Sequence, residues 1–351
     1  MINYSKFTLL PILAILFSLM LSDCGGKKTF SHLTARQLYQ KGIEFYEKEK
    51  YTEAVEYFQL IVYNHPGEAI VDTAQYYLAL SYFGNKEYAL AQVEFNRLIV
   101  NYPSSAYVVN AQFMKAVCYF EGTPRNYGLD QTDLFEAIKL FEDFIIDHPE
   151  SDLAADARKY SLIARTRLAH KYYESGIVYM RINAFTAAKK YFQIVIDDYT
   201  DTEYAPKAAF NIAEAELSLK NYEEAIRQFD NFTLVFPDHE WADKAVQKRA
   251  EATFKVGEMK LVRGEFAAAR ELFDEYVKRC PETDNFKYKR AFFLSAEASY
   301  LEKDYSLARD KFQSYINNFT RNSRTRKAEK YLEEIEKIIN RETANYVPDK
   351  S

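Results

Sequence analysis

The chain has few of the residues that interrupt helices, with 10 glycines and 9 prolines among 351 positions. It also lacks a block of basic residues, because its 46 basic and 51 acidic side chains are interspersed along the chain. The formal net charge is −5. Long helices are therefore possible, and the absence of a basic stripe argues against nucleic-acid binding. A hydrophobic content of 48% argues against a disordered chain.

Cysteines and catalytic motifs are equally scarce. Three cysteines, Cys24, Cys118 and Cys280, do not make a disulfide framework, and the last two are predicted to be thiols in or near the core. The sequence contains no CxxC, HExxH, GxSxG or P-loop motif. His65 and His148 each precede a proline at the same repeat position, so they are turn residues and not a metal pair. We predict no catalytic residue, no metal site and no cofactor.

The only long hydrophobic run lies at the N-terminus. Lys6 is the single charge before the largely apolar residues 7–22, and this order is that of a secretory signal. The run is short for a membrane-spanning helix, which needs about 20 apolar residues.

The residues after this run, Leu21-Ser22-Asp23-Cys24, resemble a bacterial lipobox, with Asp23 where a small residue is usual. We therefore predict cleavage after Asp23 and lipidation of Cys24. Several acyl chains on this cysteine would anchor the protein stably, whereas a single chain would not. The alternative is an ordinary signal peptide or an uncleaved anchor.

A pattern of 16 residues, first seen as YTEAVEYFQLIVYNHP at 51–66, occurs seven times. Each copy has an alanine followed four residues later by phenylalanine, with apolar residues seven and eight positions on, and this spacing predicts one stripe of an α-helix. The alanines are Ala54, Ala91, Ala137, Ala188, Ala225, Ala269 and Ala308. Proline follows the phenylalanine by eight residues in five copies and predicts the end of the helix.

A second amphipathic helix precedes each copy. It carries a small residue at one register position: Gly42, Ala79, Ala116, Gly176, Ala213, Gly257 and Ala296. A small residue in helix A followed by Ala, Phe and Pro in helix B is the tetratricopeptide pattern. The sequence thus predicts an all-α, superhelical tetratricopeptide-repeat solenoid of about seven helix-turn-helix repeats with a C-terminal capping helix.

The spacing of the alanines divides the chain. We predict a signal peptide at 1–23, a tether at 24–33, a repeat array at 34–342 and a disordered tail at 343–351. The predicted repeats lie near 34–67, 70–103, 106–149, 152–200, 204–237, 240–281 and 284–320, with the cap at 321–342. Extra residues predict an insertion at 121–133 in repeat 3 and a lengthened helix A in repeats 4 and 6.

Helix A lines the binding face of such arrays, and two of its positions lie seven residues apart on either side of the small residue. In the first three repeats these positions hold six aromatic residues, which we call the groove aromatics: Tyr39, Tyr46, Tyr76, Phe83, Phe113 and Phe120. Two interpretations remain open. The rings line a peptide-binding groove, or they pack against helix A of the next repeat.

Between those two positions the early repeats have aliphatic residues and the last three have glutamates. These three residues, Glu214, Glu258 and Glu297, form the glutamate column. Buried carboxylates without partners are costly, which favours a binding role over packing. A line of carboxylates would suit a basic element of a partner protein.

Two segments go beyond generic repeats. RNYGLDQTDLFEAI at 125–138 and RTRLAHKYYESGIVYMRINAFTAAKKYFQIVI at 165–196 resemble the outer-membrane assembly lipoprotein family BamD, in particular its Bacteroidetes-type members. The resemblance covers roughly residues 34–240 and the lipoprotein leader. Two further repeats, at about 250–320, follow where many members of the family end.

The resemblance implies a non-enzymatic lipoprotein on the periplasmic face of the outer membrane, held there by its lipid anchor. It also implies that the chain docks to a BamA-type barrel protein through its later repeats and receives unfolded outer-membrane protein precursors. The alternatives are a periplasmic scaffold linked to peptidoglycan or cell division, and an enzyme accessory or soluble peptide-binding module with no role in membrane assembly.

Overall fold

The computed structural model describes residues 33–280, 286–320 and 322–345. Within those ranges the chain forms fifteen α-helices and no strand. They are α1 (Ala35–Glu47), α2 (Tyr51–Asn64), α3 (Val71–Gly84), α4 (Tyr88–Asn101), α5 (Val108–Gly122), α6 (Thr132–Asp147), α7 (Ala154–Arg181), α8 (Phe185–Asp198), α9 (Tyr204–Ser218), α10 (Tyr222–Val235), α11 (Ala242–Val262), α12 (Phe266–Arg279), α13 (Phe286–Leu301), α14 (Tyr305–Asn318) and α15 (Ser323–Asn345).

Odd-numbered helices up to α13 are the predicted A helices, and each even-numbered helix is the B helix that follows. Every small residue of the register lies in an odd-numbered helix, and every aligned alanine and phenylalanine lies fully buried in an even-numbered one. The prediction of an all-α tetratricopeptide-repeat solenoid is therefore confirmed.

The close approach of helix A to helix B explains the small residue. A β-carbon added at Gly42 would lie 2.7 Å from the ring of Phe58, and one added at Gly257 would lie 2.8 Å from the ring of Phe273. Both phenylalanines have no exposed surface. The phenylalanine of helix B thus fills the space that a small residue leaves on helix A, and this contact recurs because both residues recur.

The helix ends also follow the sequence. Helices α2, α4, α6 and α10 each end two residues before a proline. Helix α8 ends at the same register without one, and there Arg165 Nη2 donates a hydrogen bond of 2.7 Å to the carbonyl oxygen of Asp198. A side-chain donor therefore satisfies a C-terminal carbonyl group of this helix.

The predicted insertions lie where the spacing placed them. Helix α7 has 28 residues and α11 has 21, against 15 in α9. The insertion in repeat 3 is the connection between α5 and α6. Helix α15 continues to Asn345, so residues 343–345, predicted to begin the disordered tail, are helical; no glycine or proline occurs between Ser323 and Asn345 to end the helix earlier.

The described residues divide into two compact units, one that ends at Gly122 and one that begins at Thr123. In the first, α1 to α5 share a core that includes Leu38, Phe58, Phe95 and Cys118. Burial raises the pKa of the Cys118 thiol to about 12, and Cys280 packs against a core of the second unit, so both predicted thiols lie in or beside a core.

In the second unit the last helix closes the array. Ala328 and Ile335 of α15 are fully buried, and Tyr331 stacks on Phe312 of α14 at 4.9 Å between ring centroids. The rest of the helix is mostly charged, as predicted for a cap. None of the helices described here is both long and apolar enough to cross a bilayer.

Candidate functional site

The groove aromatics all belong to the first unit. Tyr39, Tyr46, Tyr76 and Phe83 are half-buried, whereas Phe113 and Phe120 are only 7% and 9% exposed. The first four are therefore partly accessible to solvent, and the last two belong to the core.

Tyr77, which was not among the predicted site residues, contacts three of the half-buried rings, Tyr39, Tyr46 and Tyr76. Its ring centroid lies 6.1 Å from that of Tyr39, 5.4 Å from Tyr46 and 5.8 Å from Phe58. Tyr76 stacks on Tyr107 at 4.6 Å. Burial raises the pKa of the Tyr39 and Tyr76 phenols to about 12.

A cleft of about 430 Å³ opens beside this cluster. Its walls are Tyr46, Tyr51, Leu80, Phe83, Gly84, Lys86, Tyr88 and Met114. Gly84 matters here, because a β-carbon at that position would lie 2.6 Å from the ring of Tyr51. The cleft is therefore ring-lined, with Lys86 as its single charge, and it can accept an apolar or aromatic side chain.

The second unit has a related cleft of about 370 Å³. It is lined by Tyr222, Lys255, Glu258, Met259, Val262 and Arg263. Tyr222 begins a B helix just as Tyr51 does, and Glu258 takes the register position of Leu80. The same place in the repeat is thus apolar in the first unit and charged in the second.

The glutamate column lies in the second unit, and each carboxylate faces a cation of the next A helix or of the cap. Lys248 Nζ lies 3.1 Å from Oε1 of Glu214, an ion pair without hydrogen-bond geometry. Arg290 Nη2 lies 2.5 Å from Glu258, and Lys327 Nζ lies 2.7 Å from Glu297. The premise that these carboxylates lack partners is therefore wrong.

Two of these cations also cover the aromatic ring that precedes the glutamate by four residues, whereas Phe210, which precedes Glu214, is covered by a different cation, Lys244, at 4.7 Å from the ring centroid. Arg290 lies 5.6 Å from the ring centroid of Phe254, and Lys327 lies 5.4 Å from that of Phe293. The Phe254 and Glu258 pair and the Phe293 and Glu297 pair thus each hold one cation that links a repeat to the next element, by a cation–π contact and an ion pair. The sequence analysis missed these cations.

The loop inserted in repeat 3 is held by side-chain hydrogen bonds. The buried side-chain amide of Gln131 donates to the carbonyl oxygens of Pro124, Asn126 and Asp130 at 2.8–3.2 Å. Arg167 of α7 donates to Pro124 and to Gln131 Oε1 at 2.6 and 3.3 Å. This network ties the ends of the loop to the family-like segment 165–196.

The tip of that loop carries Tyr127 and Leu129, which are 39% and 54% exposed. The Tyr127 ring lies 4.5 Å from His170, which stacks on Tyr204 at 5.1 Å. The two segments that the sequence analysis singled out are thus in direct contact.

The predicted lipidation site, Cys24, lies outside the described residues, as do most of the predicted tether and the whole signal peptide. Among the residues that are described, no group of three or more His, Cys, Asp or Glu side chains is arranged to hold a metal ion.

Solved structures similar to this chain are tetratricopeptide-repeat proteins. The TPR2AB domain of yeast Sti1 in complex with pHSP90 is 17% identical and covers 78% of this chain and 98% of its own, with a TM-score of 0.34. A repeat protein from Bacteroides fragilis is 14% identical and covers 77% of this chain and 99% of its own, with a TM-score of 0.35.

Curated relatives are called outer membrane protein assembly factor BamD. That of Rickettsia prowazekii is 28% identical over 238 residues, which are 67% of this chain and 94% of the relative. That of Caulobacter vibrioides is 30% identical over 112 residues, or 32% of this chain and 37% of the relative. The family model YfiO, described as outer membrane lipoprotein, matches residues 31–219, just over half of the 351 residues. The chain belongs to this family of outer membrane lipoproteins.

Proposed function

We propose that the chain is a non-enzymatic component of the machinery that assembles outer-membrane β-barrels. In this proposal it sits on the periplasmic face of the outer membrane, binds a BamA-type barrel protein and receives unfolded barrel precursors. The observation that carries the proposal is the match to assembly factor BamD of Rickettsia prowazekii, which extends over 94% of that protein.

The cleft of the first unit supports the binding of precursors there. Barrel strands alternate apolar and polar residues and have aromatic girdles, so an unfolded precursor exposes isolated aromatic side chains. Tyr46, Tyr51, Phe83 and Tyr88 offer ring surfaces around one cleft, where such a side chain can stack. Stacking and apolar burial depend little on the exact sequence of the bound segment, so one site can bind many precursors.

The experiment that tests this site uses Leu80, which lines the cleft and is half-buried. Leu80→Glu gives the first cleft the charge that Glu258 gives the second. We expect binding of an aromatic-rich peptide from a terminal barrel strand, measured by fluorescence anisotropy, to weaken by roughly tenfold or more.

The matched control is Leu162→Glu, an exposed aliphatic position on helix α7 outside the cleft lining, which should bind the peptide as the wild type does. If Leu80→Glu keeps its fold by circular dichroism and binds the peptide with unchanged affinity, the cleft is not the precursor site.

We propose further that Cys24 carries the lipid anchor. This rests on the family description and on the order Leu21-Ser22-Asp23-Cys24. Cys24→Ala should move the protein from the membrane fraction to the soluble periplasm and abolish labelling with palmitate. Labelling that persists in the variant would place the lipid elsewhere.

The BamA-type partner is proposed to dock on residues 165–320. The glutamate column is proposed to contribute there, although its carboxylates are already bound to Lys248, Arg290 and Lys327. A basic element of the partner would have to compete with those cations, so we expect a modest, salt-dependent contribution.

A further inference from the structure

Helix α4 has an exposed face unlike that of the other B helices. Its exposed side chains are Ala89, Leu90, Val93, Asn96, Arg97, Val100 and Asn101. Leu90, Val93 and Val100 are 47%, 46% and 65% exposed, and Arg97 is the only charge among the seven. A solvent-facing helix surface is normally polar, so this composition calls for a reason.

The B helices of the second unit show what the same face usually holds. Their exposed positions include several charged residues each: Asp133, Lys139, Glu142, Asp143 and Asp147 in α6; Lys190, Asp197 and Asp198 in α8; Glu223, Arg227 and Asp230 in α10; Glu271, Lys278 and Arg279 in α12; Arg309 and Asp310 in α14. An exposed aliphatic residue does occur among them, as at Leu234, but there it stands among charges. Helix α2, the other B helix of the first unit, exposes Thr52, Glu56, Tyr63 and Asn64, which are mostly polar. Among the described B helices, an exposed face with three aliphatic side chains is thus particular to α4.

The four central residues lie on one line. Leu90, Val93, Arg97 and Val100, which we call the α4 stripe, are spaced by three, four and three residues, and this spacing places them on one side of a helix over about 15 Å. Tyr63 of α2, 56% exposed, adjoins the stripe, since Arg97 Nη1 donates to its hydroxyl oxygen at 3.1 Å. Beside Tyr63 a shallow cleft of about 260 Å³ runs along α2.

The guanidinium group of Arg97 is oriented by the carboxylate of Glu94. Its Nη1 donates to Oε1 of Glu94 at 2.7 Å, and Glu94, 5% exposed, accepts from Gln75 at 2.7 Å through its other oxygen. Within the described residues Nε and Nη2 of Arg97 make no hydrogen bond. An oriented guanidinium with unused donors in the middle of an apolar line is arranged for a carboxylate from outside.

We propose that the α4 stripe docks one amphipathic helix of a partner protein, with apolar residues at heptad spacing and a carboxylate opposite Arg97. A helix fits because apolar residues spaced by three and four pack against a matching row on a second helix. An extended strand would find no edge here, since the backbone groups of α4 bond within the helix.

A second copy of the chain suits the stripe poorly. In a two-fold contact between two α4 stripes, Arg97 at the centre of one would face Arg97 of the other, and the exposed side chains of α4 offer no carboxylate to separate them. The contact surface is short and has three aliphatic side chains, so we expect weak binding that serves a partner held to the same membrane.

The experiment uses the full-length lipoprotein in detergent and two synthetic amphipathic helices about three heptads long, identical except for Glu or Lys at the central polar position. The Glu helix should bind roughly tenfold more tightly than the Lys helix at low salt. Arg97→Glu should reverse this preference, and Val93→Glu should weaken both helices by roughly tenfold.

Leu234→Glu is the matched control, because Leu234 in α10 has the register position of Val100 and is 79% exposed on a charged face. It should bind like the wild type. Val93 is half-exposed, so its variant should unfold at the same temperature as the wild type.

Equal binding of the Glu and Lys helices, or binding that survives Val93→Glu, overturns the proposal. A dimer in sedimentation that Val93→Glu abolishes assigns the stripe to a second copy and also overturns it.

Discussion

At the scale of single residues, the turn between helix A and helix B repeats one strained position. Two residues before helix B, six repeats have a residue with positive φ: Glu49, Lys86, Asn183, Lys220, Gly264 and Lys303. Only repeat 6 has glycine there, at φ +81°. The left-handed conformation is unfavourable for a residue with a β-carbon other than asparagine, so the four turns with Glu49, Lys86, Lys220 and Lys303 retain strain.

Relieving that strain should stabilise the protein. We expect Lys220→Gly and Lys303→Gly each to raise the free energy of unfolding by about 0.5 kcal/mol, because a gain of about 1 kcal/mol at the turn is partly offset by the larger conformational entropy of glycine in the unfolded chain. Urea titration followed by circular dichroism measures the change. Gly264→Lys should lower the free energy of unfolding. A higher free energy of unfolding in this variant would contradict the explanation by strain.

At the scale of the helices, most of the architecture could be predicted because each repeat encodes the same contact. The Ala54 and Phe58 pair recurs seven times, so a helix pair recurs seven times. The lengths of α7 and α11 followed from the spacing between aligned alanines. Local periodicity and turn residues determine these features, and they need no knowledge of distant contacts.

The side-chain partners could not be predicted in the same way. Lys248 lies nine residues before Gly257, whereas Arg290 lies six residues before Ala296, and Lys327 belongs to the cap. The cations that pair with the glutamate column therefore share no register, and an alignment of repeats shows the carboxylates but hides their partners. The α4 stripe was missed for a different reason, since both faces of α4 are apolar and only burial separates Leu98 in the core from Val100 outside.

At the scale of the whole molecule, the glutamate column serves two roles that compete. Within the second unit it links successive elements, since Arg290 binds both Phe254 and Glu258, and Lys327 binds both Phe293 and Glu297. In the proposed function the same carboxylates meet a basic element of a BamA-type partner. One substitution can separate the two roles if stability and binding are both measured.

Glu258→Gln is that substitution. Its side chain is 21% exposed and pairs with Arg290 at 2.5 Å and with Lys255 at 3.0 Å, so losing the charge should lower the free energy of unfolding by about 0.5–1 kcal/mol. The control is Glu302→Gln. The Glu302 carboxylate binds Arg270 at 3.1 Å near a turn and lies outside the column.

Pull-down with purified periplasmic domains of the BamA-type protein, below the unfolding temperature of both variants, then measures docking. A loss of capture at low salt in Glu258→Gln alone would support the partner role, because the control also loses an ion pair between repeats. Equal capture by both variants and the wild type would leave Glu258 as an internal link between repeats and exclude it from the docking surface.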